Sequence, residues 1–179
     1  MPLTANEIVA GCVAYLDGDA LVADGNVQTP DAENVGVRPF LCFYAAGGTS
    51  KWVELTAQHR AWRLRLKPYK TGGTATWRKS ESYVNDVSGV FEGPNISIIA
   101  ASNSDYGGIH RPKINDDGVL LVASAVESCI QAAYEQYVAQ QEAYYQQYVQ
   151  PSYGGYMDVH ANGLWFPPSN GNDGSGSLQ

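Results

Sequence analysis

The chain has 179 residues, 44% of them hydrophobic and only 16% charged, and carries a formal net charge of −7. That apolar content suffices for one core of ordinary size plus an appendage and excludes disorder throughout. The negative balance excludes general attraction of the whole molecule to a phosphate backbone, because Lys and Arg supply most of that affinity.

In chain order, a first strand is predicted over 13–16, followed by a long loop over 18–35 that is rich in Gly, Asp, Asn and Pro and carries a short hairpin at 21–27. Residues 39–44 are almost wholly apolar and aromatic, Gly47-Gly48 reads as a turn, and 51–56 alternates as the returning strand. Residues 61–67 alternate strictly, with Trp62, Leu64 and Leu66 on one face and Arg63, Arg65 and Lys67 on the other, which predicts a strand presenting a basic row. Gly72-Gly73 marks a second hairpin with 74–77 on its far side, and short strands at 83–84 and 90–91 flank a turn. The apolar run 96–101 is expected to be a central strand. Residues 102–117 read as a polar loop ending in the helix-capping residues Asn115, Asp116 and Asp117.

Val119, Val122, Val126, Cys129, Ile130 and Ala133 then recur at helical spacing and should lie against the β domain. Tyr134, Tyr137, Gln141, Tyr144 and Tyr148 continue at steps of three and four, so the helix is expected to run on as a tyrosine-rich arm until Pro151 stops it. Tyrosine combines apolar area with a polar tip and is favoured at interfaces, which makes Tyr134, Tyr137, Tyr144 and Tyr148 candidate subunit contacts. The other reading is an amphipathic helix closing on its own domain. Beyond Pro151 the composition is Tyr, Gly, Asn, Ser and Pro, with one apolar knot at Leu164, Trp165 and Phe166. Such a segment buries too little surface to offset its ordering entropy, so a neighbouring molecule is expected to hold it, with Trp165 and Phe166 as anchors. The expected organisation is a mainly β domain over 1–117, a C-terminal helix and arm over 118–150, and an extended tail over 151–179.

Candidate chemistry is sparse. Cys12, Cys42 and Cys129 are odd in number and widely spaced, which reads as reduced thiols and as neither a disulfide frame nor a zinc site. His59, His110 and His160 are dispersed, and no phosphate loop, nucleophile elbow or metal-ligand spacing occurs, so neither a cofactor nor a metal is expected. No run approaches the ~18 uninterrupted apolar residues of a membrane span, and no basic stretch precedes an apolar run at the N-terminus. A protein made in a cytoplasm is expected.

The order Gly11, a strand over 13–16, a long loop, Val37-Arg38-Pro39 opening an apolar strand, and Leu55-Thr56-Ala57-Gln58 closing the next resembles the MazF/PemK toxins over residues 11–130. Gly11-Cys12 stands where that family has Gly-Asp. The resemblance implies a small SH3-like β barrel with a terminal helix, and a metal-independent endoribonuclease in which Arg38 and Thr56 act on the phosphate and the attacking 2′-hydroxyl. Arg63, Arg65 and Lys67 would then guide single-stranded RNA, with Trp62 and Trp77 stacking. The same basic row also suits an acidic protein surface, including the acidic end of another copy, because no Lys or Arg follows Lys113. The tyrosine-rich arm, the unfoldable tail and the weakly charged surface favour a different function. They point to a non-enzymatic structural subunit of a large assembly, such as a bacteriophage capsid decoration or cement protein carried on the virion, whose partners are other protein subunits. The endoribonuclease is the alternative.

Overall fold

The structure, a computed structural model, describes residues 2–31, 35–71, 77–102 and 111–149. The chain divides into two units, Met1–Ala133 and Tyr134–Gln179. In the first, β1 (Val13–Asp17), β2 (Val37–Ala46) and β3 (Thr49–Thr56) form an antiparallel meander, with Val13 opposite Leu41 and Phe40 opposite Glu54. The turn between β2 and β3 is Gly47-Gly48, at φ +59° and +81°, the doubly positive pair that a tight hairpin turn needs and that glycine adopts without strain. A short pair, β4 (Lys70–Thr71) with β7 (Lys113–Ile114), stands apart from the main sheet.

β3 has partners in two places on its outer edge. Residues 49–53 pair with β6 (Val90–Pro94), and 55–56 pair with β5 (Tyr83–Val84). The result is an open five-stranded antiparallel sheet, and among the described residues it does not close into the expected barrel. Helices explain why, since both faces of the sheet are covered by other elements. Phe40, Cys42, Trp52 and Phe91 face one core with Leu21 of α1 (Gly18–Ala23) and Ile98 of α2 (Asn95–Ala100). Leu41, Val53, Leu55 and Val84 face the second core with Leu66, Ile114 and Val122 and Val126 of the long helix α3 (Asp116–Tyr144). A sheet buried on both faces need not curl on itself to hide its apolar side. The fold is therefore mixed, a five-stranded sheet with a long C-terminal helix.

Three expectations for this unit are corrected. The hairpin expected at 21–27 is replaced by α1, whose N-terminus is capped by Asp17: its carboxylate accepts from the Asp19 and Ala20 amides at 3.1 and 3.2 Å. The central strand expected at 96–101 is α2. A short apolar run has no period that separates strand from helix, and here Pro94 sets a helix start, with Ile98 buried and Ile96 turned out to solvent at 77% exposure. The strand expected at 61–67 is an irregular segment. The Arg63 amide bonds back to the Arg60 carbonyl at 3.1 Å, Trp62 is 75% exposed, only Leu66 is fully buried, and Pro68 opens a 3-10 turn over Lys67–Tyr69. The expected hairpin around Gly72-Gly73 lies largely outside the described residues.

α3 begins as expected, with the Asn115 side chain accepting from the Gly118 amide at 3.0 Å. It ends at Tyr144 and gives way to a wider, π-type turn at Tyr145–Val149, before Pro151. Tail residues Leu164, Trp165 and Phe166 lie outside the described residues. No helix among the described residues is long and apolar enough to cross a membrane.

Cys12 and Cys42 are buried, and burial pushes their thiols up to about 11 and about 12, whereas Cys129 is half-buried. Because the thiolate is the reactive form, a thiol-specific reagent under native conditions is expected to label Cys129 alone and to reach the other two only on unfolding. Mass spectrometry of the labelled peptides checks this, and rapid native labelling of Cys12 or Cys42 would refute it.

Candidate functional site

The sequence-predicted pair Arg38 and Thr56 sits at the end of the β2–β3 ladder. Continuing the register beyond Phe40 opposite Glu54 puts Arg38 level with Thr56. Arg38, whose side chain is 55% exposed, directs its Nε toward Glu54 Oε1 at 3.8 Å. Thr56 turns its hydroxyl to its own chain, accepting from the Gln58 amide at 3.2 Å. Thr56 also lines a cleft of about 50 Å³ with Tyr15, Trp77, Arg78 and Glu81, and Arg38 is not among its lining residues. The two residues lie beyond the last paired positions of the ladder, and each is engaged by a different partner.

Glu54 joins these groups, and the sequence reading missed it. Its carboxylate accepts from Asn85 Nδ2 at 3.0 Å, and Asn85 in turn receives Arg63, whose Nε donates to the Asn85 carbonyl at 3.2 Å and whose Nη2 donates to Asn85 Oδ1. The third donor, Arg63 Nη1, reaches the Gln58 carbonyl at 3.0 Å. One carboxylate is thus served by Asn85 and flanked by two guanidiniums. Burial still raises the Glu54 carboxyl above its ordinary value, against the lowering effects of the Asn85 hydrogen bond, Arg38 and Arg63. Chemically, this is a half-buried base of raised affinity for a proton beside a half-exposed cation. The available signal was position. Glu54 shares its face of β3 with fully buried Trp52, and a lone carboxylate on an inward face needs a partner.

Each member of the expected basic row has a partner within the first unit. Arg63 is spent on Gln58 and Asn85. Arg65 meets Glu81 through Nε at 3.0 Å and Nη2 at 3.2 Å, and Lys67 Nζ meets the same carboxylate at 2.6 Å. The hydrogen bonds from Arg65 and then Lys67 hold the Glu81 carboxyl down to about 2. Trp62 is exposed on the loop, while Trp77 lies beneath Lys70, whose Nζ is 4.1 Å from the ring centroid. His59 stands edge-on to Tyr83 at 5.4 Å. Among the described residues no group of His, Cys, Asp and Glu is placed to hold a metal.

Two further features concern surfaces. A groove of about 1200 Å³ in the first unit is lined by Phe43, Tyr44 and Val90 of the sheet and Val126 and Ile130 of α3, with the Lys51–Glu92 ion pair of 2.8 Å among its polar groups. In the second unit, the expected interface residues Tyr134, Tyr137, Tyr144 and Tyr148 are 58–62% exposed. The rings of Tyr144 and Tyr148 lie 4.9 Å apart, so the stripe stays continuous through the π-type turn.

No protein-family model, curated protein or solved structure matches the chain.

Proposed function

We propose that the chain is a non-enzymatic structural subunit of a large assembly, of the decoration or cement kind carried on bacteriophage capsids, which binds neighbouring protein subunits through its arm and tail. The observation that carries this reading is the exposed tyrosine stripe of the second unit. Four aromatic rings on one line of a helix cost free energy in water and gain it against a partner, and tyrosine is among the residues most enriched at interface centres. The partners of Arg65 and Lys67 support the same reading, because both cations share the Glu81 carboxylate, which offsets part of the positive charge that a nucleic-acid track needs. On this reading the chain is made in the host cytoplasm and ends in the virion. The finer fold assignment that accompanies it is a partly opened SH3-like barrel of the MazF/PemK type, with β1, β2, β3, β5 and β6 as its strands.

The test compares the full chain with one ending at residue 150. The shortened chain is expected to keep its folded circular-dichroism signal and to lose co-sedimentation with purified particles. Undiminished co-sedimentation would remove the tail from the binding surface.

Glu54 supports a second reading, the endoribonuclease. In it Glu54 takes the proton from a ribose 2′-hydroxyl, the freed oxygen attacks phosphorus to close a 2′,3′-cyclic phosphate, the 5′-oxygen leaves as a hydroxyl with a proton from water, and Arg38 stabilises the charge gathered on the phosphate. Thr56 would hold the nucleotide from the end of β3. Incubating the protein and its Arg38→Ala and Glu54→Gln variants with single-stranded RNA is the direct test, and cleavage by the parent that both variants abolish would establish the activity. The structural reading predicts no cleavage by any of the three.

A further inference from the structure

We propose that the arm pairs with the arm of a second copy of this chain, along a seam centred on Gln141. The proposal deepens the assembly reading and rests on it for the biological setting, while its physical basis lies within the second unit alone. Tyr134, Tyr137, Gln141, Tyr144 and Tyr148 fall at steps of three, four, three and four, the alternation by which a helix presents one continuous line to a partner helix. All four tyrosines are more than half exposed, and the close contact of the Tyr144 and Tyr148 rings keeps the line unbroken to its end.

Charge selects a second copy as the occupant. Between residues 133 and 148 the only charged side chains are Glu135 and Glu142, seven apart and both one step past a seam position, on the side of the helix that faces away from a partner. The positions flanking the seam are Val138, Gln140, Tyr145 and Gln147, all uncharged. A basic or acidic partner would find no complementary charge along the seam or its flanks. An identical helix meets no like charge there, although each copy carries a net negative charge.

Gln141 supplies the register. In a parallel two-fold pair every seam position meets its own copy, so Gln141 faces Gln141, with tyrosines seven and four residues before and three and seven after. A carboxamide both donates and accepts, so two of them satisfy one another in an otherwise aromatic seam, and a slipped register would leave each without its counterpart. Eight tyrosines burying roughly 100 Å² each give on the order of 800 Å², which the flanking residues raise toward the ~1,200 Å² at which specific pairs become stable. A reversible dimer of modest affinity is expected.

The experiment is sedimentation of the full chain over a range of concentrations, beside the double variant Tyr137→Glu/Tyr144→Glu, whose exposed positions leave the first unit's cores untouched. A concentration-dependent dimer is expected, weakened more than about tenfold in the variant. In a Cys129→Ser background under mild oxidation, Gln141→Cys should yield a disulfide-linked dimer, and Ala139→Cys, on the outer side, should not. A chain that is monomeric at every concentration overturns the pairing, as does a dimer indifferent to the double variant or one that cross-links equally at residue 139. Failure of the wider reading is separate. A monomer that still co-sediments with particles refutes the pairing and leaves the assembly role, whereas a paired chain that binds no particle does the reverse.

Discussion

Replacing Trp52 by alanine is expected to remove ~3–5 kcal/mol of stability, enough to approach the whole of what a marginally stable domain has. Trp52 lies in the middle of β3 with 0% exposure, in the core that also holds Phe40 and Phe91, whose rings meet edge to face at 5.1 Å. Truncation opens a cavity that neighbours anchored in a sheet and two helices can only partly fill. It also removes the indole donor from Ser50, whose hydroxyl accepts from Trp52 Nε1 at 2.8 Å while both residues are fully buried. The two losses separate in a cycle with Ser50→Ala, which alone should cost about 1 kcal/mol and should diminish when Trp52 is already gone. Urea unfolding followed by circular dichroism reads the differences, and a loss under about 1 kcal/mol for Trp52→Ala would show that this core does not hold the sheet.

The meander and the start of the long helix were legible because each carries its own local signal. Residues 39–44 and 51–56 are joined by two glycines that only a tight turn needs, and Asn115 caps α3 as its side chain predicts. The spacing of the tyrosines left a subunit contact and packing on the chain's own domain equally open, and Tyr134, Tyr137, Tyr144 and Tyr148 are exposed. Residues 96–101 were misread because isoleucine and alanine fill a buried strand and a short helix equally well, and only Pro94 marks the difference. Residues 61–67 alternate without being a strand, since the Arg63 amide turns back to the Arg60 carbonyl, only Arg65 bridges to Tyr83, and Pro68 follows within a 3-10 turn. The site was half legible. Arg38 and Thr56 stand out in sequence, but Glu54 gains its significance only from Asn85 and Arg63, about thirty and nine residues further along the chain. Such partnerships are created by the fold, and single-sequence periodicity does not encode them.

Replacing Arg63 by alanine is expected to cost about 2–3 kcal/mol at neutral pH and less in acid. The loss at neutral pH has two sources. The carbonyls of Gln58 and Asn85 forfeit a charged donor, so the segment between β3 and the Lys67–Tyr69 turn loses its brace. Glu54 meanwhile loses one of its two flanking cations, which raises still further a carboxyl that burial already holds above its ordinary value. The sign follows from proton binding. A carboxyl whose pKa is higher folded than unfolded favours the native state while protonated, so its contribution is complete below the unfolded value and disappears as pH rises through the folded one. Removing Arg63 moves that folded value upward and widens the window, so the stability gap between parent and variant should grow from about pH 4 to about pH 7. Arg63→Lys separates the sources, since it keeps the charge near Glu54 but cannot make the three-pronged contact, and should restore much of the pH dependence with less of the stability. A gap of equal size at both pH values would mean that Glu54 does not sense Arg63, and the carboxylate would then lose its standing as the tuned group of this site.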